Sequence, residues 1–524
     1  MLFGIRTSKF TQQLPADRIT ENFTRQVSDT SFSYVKPISL SNPKLIACST
    51  DVAELLGILE LQCQSKAFLN VFSGQNTNDI STYATCYGGH QFGNWAGQLG
   101  DGRAINLGEI TYRNKTWELQ LKGAGPTPYS RHADGFAVLR SSIREFLCSE
   151  AMYYLGVPTT RALSLILTGE HVGRDMFYDG HPKMEQGAIV CRVAESFLRF
   201  GHFQIHASQN EIPILQKLLD FTIKQYFQNL GEPSKETYLN LFEHICKKTV
   251  DLVVNWMRVG FVHGVLNTDN MSVLGLTIDY GPYGWLEGYD PLWTPNTTDA
   301  EGKRYCYGRQ PEIIMWNLSK LAQAIYPLIK EAKPLEDILD AQTDYLNESL
   351  QAMYLSKLGL SKWADESQRL IRTLFQVLQS HETDYTIFFR SLSNITQQSN
   401  AIPNDELFHI VKNSFYNVEQ MSKNTRNDIL SWLRQYCQLV CKDNIFAESR
   451  ANEMNKTNPK FILRNYMVQQ AIDEAESGNY ELIYELMDVI KNPYDEQPNY
   501  EKYFAKRPEW ARNRAGCSML SCSS

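Results

Sequence analysis

The sequence lacks the run of about 18 apolar residues that a membrane-crossing helix needs. Its longest apolar stretches, such as residues 162–167, are core-sized. The first twenty residues contain no continuous apolar segment, so no secretory signal is expected. Basic residues are too sparse there for a transit peptide, and an acid appears at Asp17. Basic charge is not in excess either: 51 Lys and Arg stand against 58 Asp and Glu, a formal net charge of −7. That balance argues against nucleic acid as a partner. Internal repeats and low-complexity tracts are missing. The eleven cysteines are odd in number and scattered, which suits a reducing compartment better than a disulfide scaffold. Only Cys517 and Cys522 stand close, with four residues between them. Without a second Cys/His pair nearby they make a weak metal pattern, and solvated thiols or a redox pair remain open readings.

What is present is enough to fill cores. Hydrophobic residues make up 43% and aromatics 12% of 524 residues, which excludes global disorder and suggests roughly two or three packing units. The texture changes along the chain. Residues 1–80 mix short helical and loop patterns, punctuated by Pro37, the Ser-Asn-Pro at 41–43 and the Gly-Gln-Asn at 74–76. Residues 81–200 are Gly-rich and strand-like. Period-two alternation at 104–110 and 117–122 predicts half-buried strands. Helical spacing at Val138, Leu139, Ile143, Phe146, Leu147, Met152 and Leu155 then predicts a helix ended by Gly156-Val157-Pro158. Residues 163–167 and 188–193 read as two more strands. From about 205 onward the pattern is mostly helical, with candidates at 213–230, 235–259, 313–329, 335–358 and 362–380. A pair of short strands is predicted within 271–279. Residues 491–524 read as a wrapping tail carrying Cys517 and Cys522. The fold class expected is α+β, in two lobes with a cleft between them.

The chemistry concentrates in residues 263–281, HGVLNTDNMSVLGLTIDYG. An Asn amide oxygen and an Asp carboxylate, Asn270 and Asp279, are the hard oxygen ligands that Mg²⁺ takes together with phosphate oxygens. Asp269 can accept a proton from an incoming hydroxyl. The kinase catalytic loop, His-Arg-Asp-Leu-x-x-x-Asn followed by Asp-Phe-Gly, matches at His263, Leu266 and Asn270, and Asp279-Tyr280-Gly281 stands for the second motif. The usual base position, however, holds Val265. A solvated Asn/Asp turn is the plainer alternative for the loop alone.

Other candidates lie upstream. Residues 97–103, GQLGDGR, form a Gly-rich loop in which Gly100 and Gly102 let backbone N–H groups approach phosphates and Arg103 adds charge. A tight hairpin turn explains the same residues, and no Walker motif follows. Lys122 ends a strand, and Glu145 lies in the next helix, the arrangement by which a kinase holds phosphates. Two surface residues are the alternative. Asp134-Gly135 meets the start of that helix, and Asp134 reads as an N-cap or a ligand contact. Arg192 and Arg199 read as a phosphate clamp or as surface ion pairs. The order Gly-loop, Lys, helix Glu, HxxLxxxN, DYG is much harder to obtain by chance than any one of its parts.

These residues resemble a known family, selenoprotein O. The resemblance rests on YGGHQFG at 87–93, LKGAGPTPYSR at 121–131, SSIREFL at 141–147, NTDNMS at 267–272, DYGP at 279–282, RPEWA at 507–511 and the terminal CSS at 522–524. It covers the chain from about residue 22 to the end. It implies a bilobal protein-kinase-like fold with family-specific N-terminal and C-terminal extensions: an N-terminal extension over 1–80, a strand-rich lobe over 81–200, a mostly helical lobe over 201–490 and the tail. It implies ATP bound in a flipped orientation that presents the α-phosphate, so that AMP moves to Ser, Thr or Tyr hydroxyls of proteins and pyrophosphate leaves. Carried over by position, Asp269 is the expected proton acceptor, and Asn270 and Asp279 the ligands of Mg²⁺ or Mn²⁺. Gly100, Gly102, Arg103, Lys122, Asp134, Gly135, Arg192, Arg199 and Asp279 are expected nucleotide contacts, with Glu145 the partner of Lys122.

In some members a disulfide ties the segment after DYG to the tail. Here residues 280–299 contain no cysteine and the next is Cys306, so this sequence departs from that pattern; a pairing of Cys517 with Cys522 and a role for Cys306 are both open. The expectation is a monomeric enzyme with protein substrates and no membrane or nucleic-acid partner. Its compartment would be the cytoplasm of a bacterial-type cell, or the mitochondrion if the source is eukaryotic. Two rival readings are a conventional protein kinase moving the γ-phosphate and a non-catalytic ATP-binding pseudokinase scaffold.

Overall fold

The computed structural model describes residues 2–77 and 79–521. Cys522 and the two residues after it lie outside the described residues. Strands gather in the first 200 residues and helices dominate the rest, a mixed fold with the two kinds of element segregated along the chain.

Ten strands organise the first part: β1 (Phe32–Tyr34), β2 (Lys44–Cys48), β3 (Tyr83–Thr85), β4 (Gly88–Gln91), β5 (Asn94–Gln98), β6 (Ala104–Tyr112), β7 (Lys115–Lys122), β8 (Ala137–Val138), β9 (Arg161–Arg174) and β10 (Lys183–Ala194). The main sheet runs β1-β3-β6-β7-β10-β9-β2, with β8 paired to β10, and all its pairings are antiparallel. β4 and β5 form a separate hairpin. The β6–β7 connection is two residues, Arg113 and Asn114, both with positive φ (49° and 62°), the twist-matched turn that joins tight hairpins.

Alternation places the side chains of β10 on two faces. Ile189, Cys191 and Val193 join the N-terminal segment in an apolar cluster with Val52, Phe68 and Phe72. Ala188 and Val190 pack instead with Ile143, Phe146 and Leu147 of the Leu139–Tyr154 helix. That helix is tied to β9 by Arg161, whose guanidinium makes two 2.7 Å bonds to the buried Glu150 carboxylate. It stops where the sequence predicts, with Gly156 at φ +72° allowing the chain to turn away.

The predicted helices at 235–259, 313–329, 335–358 and 362–380 form as Lys235–Val259, Gln310–Ile329, Lys333–Leu358 and Asp365–Ser380. The first is bounded by Ser234, which accepts the Thr237 N–H, and by Gly260 in the left-handed region. The run at 213–230 divides into the Ile212–Tyr226 helix and a 3₁₀ turn, Gln228–Leu230. No helix among the described residues is long and apolar enough to cross a membrane.

One expectation fails. Residues 271–279 do not pair with themselves. Ser272 bridges Arg199 and Thr277 bridges Thr159, with backbone bonds from Val273 N–H to Leu198 (3.1 Å) and from Thr277 N–H to Pro158 (2.8 Å). The apolar residues satisfy their backbone groups on neighbouring segments, so the segment stitches the helical part to the strand-rich part. The tail packs on the stretch that follows this segment. Leu520 exchanges backbone bonds with Pro295 and Thr297 (2.9 and 2.7 Å), and Arg507 reaches Glu287 and Glu382.

Candidate active site

Loops from the strand-rich part face residues 265–282 across a cleft of about 610 Å³. At the turn after β5, Gly100 has φ +85° and a Cβ there would lie 2.5 Å from the Tyr129 ring. A Cβ on Gly102 would lie 2.8 Å from the Tyr129 carbonyl oxygen, so only glycine fits this close approach. Between them Asp101 turns inward and accepts the Thr85 N–H and hydroxyl (2.9 and 2.6 Å), which anchors the loop while Arg103 lines the cleft. Asp134 does not cap the helix. The cap position is Val138, with no side-chain bond, because the chain first forms β8. Asp134 instead accepts the Phe136 N–H and two bonds from Arg174 (2.7 and 2.8 Å). Burial opposes its ionisation, but Arg174 and that N–H prevail and hold the carboxyl below its ordinary range. Gly135 has φ +79°, and a Cβ would meet the Pro126 nitrogen at 2.2 Å.

A chain of alternating charges crosses the floor. Lys122 Nζ lies 2.5 Å from Glu145, whose other oxygen is 3.2 Å from Arg192. Arg192 reaches Asp279 at 2.7 Å, and Arg199 pairs with the second oxygen of Asp279. Lys122, Glu145, Arg192 and Arg199 are all buried, so the surface-pair reading of each fails. Burial lowers the pKa of the Lys122 ammonium, against the pull of Glu145. For Asp279 burial favours the neutral acid, but Arg199, Arg192 and Lys122 outweigh it and keep the carboxyl ionised, well below the usual range. Asp279 sits at φ +59°, a strained backbone that concentrates at functional positions.

Residues 263–270 are fixed from several sides. His263 Nε2 donates to the Ile278 carbonyl at 2.9 Å, tying the loop to the residue before Asp279. Burial holds His263 below its ordinary pKa, hence neutral. Thr268 accepts the His90 N–H (2.7 Å) and donates to Gln204 (2.6 Å). Asn267 accepts the Tyr305 hydroxyl at 2.7 Å. Asp269 Oδ2 accepts from Gln91 at 3.1 Å, and its buried Oδ1 has no side-chain hydrogen-bond partner among the described residues. Burial pushes the Asp269 carboxyl up to about 6, with Gln91 and Arg199 opposing. A Cβ on Gly89 would stand 2.6 Å from Asp269 Oδ1, so the β4–β5 hairpin lies directly against this carboxylate. Val265 lines the cleft and supplies no polar side-chain group.

The structure thus brings Gly100, Gly102, Arg103, Lys122, Asp134, Gly135, Arg192, Arg199, Asp269, Asn270 and Asp279 to one cleft, with Glu145 behind Lys122. Gln91 and Arg174 join the site without a signal in the sequence. Gln91 lies in the quoted YGGHQFG stretch, but its contact with Asp269 spans 178 positions and has no local signature. Cys306 and Cys517 are buried free thiols, and the question of a Cys517–Cys522 pair falls outside the described residues because Cys522 does.

The donor set suits a hard divalent cation. Asn270 commits its amide N–H to the Val265 carbonyl at 2.9 Å, which leaves its amide oxygen as the free end. Asp279 supplies an ionised carboxylate in the same cleft. No cluster of three or more His, Cys, Asp or Glu fit for a metal occurs among the described residues. Two protein oxygens completed by phosphate oxygens and water match Mg²⁺ better than a metal that needs a full protein cage.

Cationic residues converge in this cleft beside the Asp269 and Asp279 carboxylates, an arrangement that suits a phosphate-bearing substrate. The comparisons specify the family. The family model described as protein adenylyltransferase SelO matches residues 17–491, and the chain belongs to that family. Over 519 residues it is 53% identical to a protein of Flavobacterium johnsoniae described as protein nucleotidyltransferase YdiU, covering 99% of each chain. Proteins with the same description from Rhodopirellula baltica (532 residues, 99% of this chain and 98% of that one) and Aromatoleum aromaticum (523 residues, 99% of each) are also 53% identical.

Proposed function

We propose that this chain transfers AMP from ATP to Ser, Thr or Tyr hydroxyls of proteins. The acceptor oxygen attacks the α-phosphorus, the bond to the bridging oxygen breaks, and pyrophosphate leaves. Asp269 takes the hydroxyl proton. The observation that carries the reading is the pairing of Val265, at the usual kinase base position, with Asp269, whose buried Oδ1 has no side-chain hydrogen-bond partner among the described residues. A carboxyl brought to about 6 by burial is largely ionised at neutral pH and still basic enough to accept a proton. Arg103, Lys122, Arg192 and Arg199 neutralise the phosphates, and Glu145 holds Lys122 in place. Gly100, Gly102, Asp134 and Gly135 shape the nucleotide's bed. Asn270 and Asp279 would hold Mg²⁺ or Mn²⁺, which when bound neutralises phosphate charge.

On this reading residues 81–200 and 201–490 are the two lobes of a kinase-like fold, 1–80 an N-terminal extension packed on them and 491–524 the wrapping tail. The Lys122–Glu145 pair and the placement of Asn270 and Asp279 support it. ATP carrying label at the α- or the γ-position tests the reaction. Label on protein from the α-position alone is the expected result, and label from the γ-position alone would contradict it.

A further inference from the structure

The β4–β5 hairpin carries Gln91 to Asp269 and then turns outward at Phe92 and Gly93, both with positive φ (50° and 86°). Its tip rests on a second cluster outside the cleft. A Cβ on Gly93 would lie 3.5 Å from the Arg304 guanidinium carbon. Arg304 stacks over Trp316, 4.7 Å from the ring centre, and Lys320 Nζ lies 5.0 Å from the same centre. Trp316 and the exposed Trp95 both pack on His90 (5.5 and 5.1 Å between ring centres).

Neither Arg304 nor Lys320 makes an ion pair among the described residues; Lys320 bonds only to Gln323 at 3.1 Å. Arg304 Nε and Nη2 are enclosed and meet no acceptor within hydrogen-bond geometry among the described residues. The neighbouring Tyr305 hydroxyl accepts from Phe92 and donates to Asn267, and the Arg304 side chain also approaches it. The nearby Asp299 carboxylate accepts the backbone N–H groups of Arg304 and Tyr305 (2.9 and 2.7 Å). Burial and the charge of Lys320 hold His90 below its ordinary range, so it adds no charge. A guanidinium with no carboxylate within ion-pair distance gains a charge-assisted bond when one arrives. Two cations that share one indole and make no ion pair among the described residues, in a protein of net charge −7, make a local site for acid.

We infer that the Arg304–Lys320–Trp316 cluster docks an acidic side chain of the acceptor protein, close in sequence to the hydroxyl that receives AMP. The inference rests on the adenylyltransferase reading and adds its substrate class. The hairpin steps only two residues from Gln91 at Asp269 to Gly93 at Arg304. The bound carboxylate therefore belongs within a few residues of the acceptor hydroxyl. Trp95 flanks the approach as an apolar wall.

Synthetic Ser-containing peptides with Glu, Gln or Lys at two and three residues from the serine test this, with AMP transfer from α-labelled ATP as the readout. The Glu peptide should be preferred over the Gln peptide by about tenfold in kcat/KM, the size of one charge-assisted contact, mostly through KM. Arg304→Gln should remove that preference while self-labelling and the KM for ATP stay unchanged. Lys320→Gln, at a more open position, should reduce it in part, and Arg304→Glu should shift preference toward the Lys peptide. Equal use of all three peptides by the native enzyme, or a preference that survives Arg304→Gln and Lys320→Gln, overturns the docking site while leaving the reaction intact. Absence of any α-label in the native enzyme would instead overturn the reaction itself.

Discussion

At Asp269 a single carboxylate carries the chemistry. Its deprotonated form is the one that accepts a proton, and burial raises its pKa to about 6. Activity should therefore rise with pH through an acid limb near 6 and level off above it, as read from kcat/KM against pH. Asp269→Asn keeps the shape but removes the basic site. It should lower kcat by about 10²- to 10⁴-fold with ATP affinity retained by calorimetry, and the residual activity should lose the acid limb. Position 265 shows how far the sequence could be read here. The offsets of His263, Leu266 and Asn270 match a kinase loop, and Val265 breaks the match at the base. What the local pattern does not contain is the environment that tunes Asp269: Gln91 and Gly89 approach from 178 or more positions away.

Among the elements, the β4–β5 hairpin and residues 271–279 hold the cleft together. Gly89 is required by contact rather than by φ, since a methyl group there would meet Asp269 Oδ1 at 2.6 Å. Gly89→Ala should displace the carboxylate and reduce kcat by about tenfold or more, with the thermal midpoint changed by no more than a few degrees. The helices were legible because their caps and periods are local: Ser234 and Gly260 bound the Lys235–Val259 helix at the residues expected. The supposed hairpin at 271–279 was not legible. Its apolar residues suit a strand pair, yet their backbone partners, Arg199 and Thr159, come from far along the chain. Asp134 illustrates the same limit, since its partner Arg174 lies 40 positions away in a stretch with no distinctive pattern.

Over the whole molecule, buried ion pairs join segments that no single core unites. Arg464 and Asp384 are both essentially unexposed and make two bonds of 2.8 and 3.1 Å. Removing one partner leaves the other charge buried, so Asp384→Ala should cost about 3–5 kcal/mol, read as a lowered denaturation midpoint, while ATP affinity in the folded fraction is unchanged. The reaction itself is tested most directly by intact-mass spectrometry of the protein incubated with ATP and Mg²⁺. The account predicts a mass gain equal to one or more AMP groups, abolished by Asp279→Ala. A gain equal to phosphate, or an AMP gain that persists in Asp279→Ala, would contradict it.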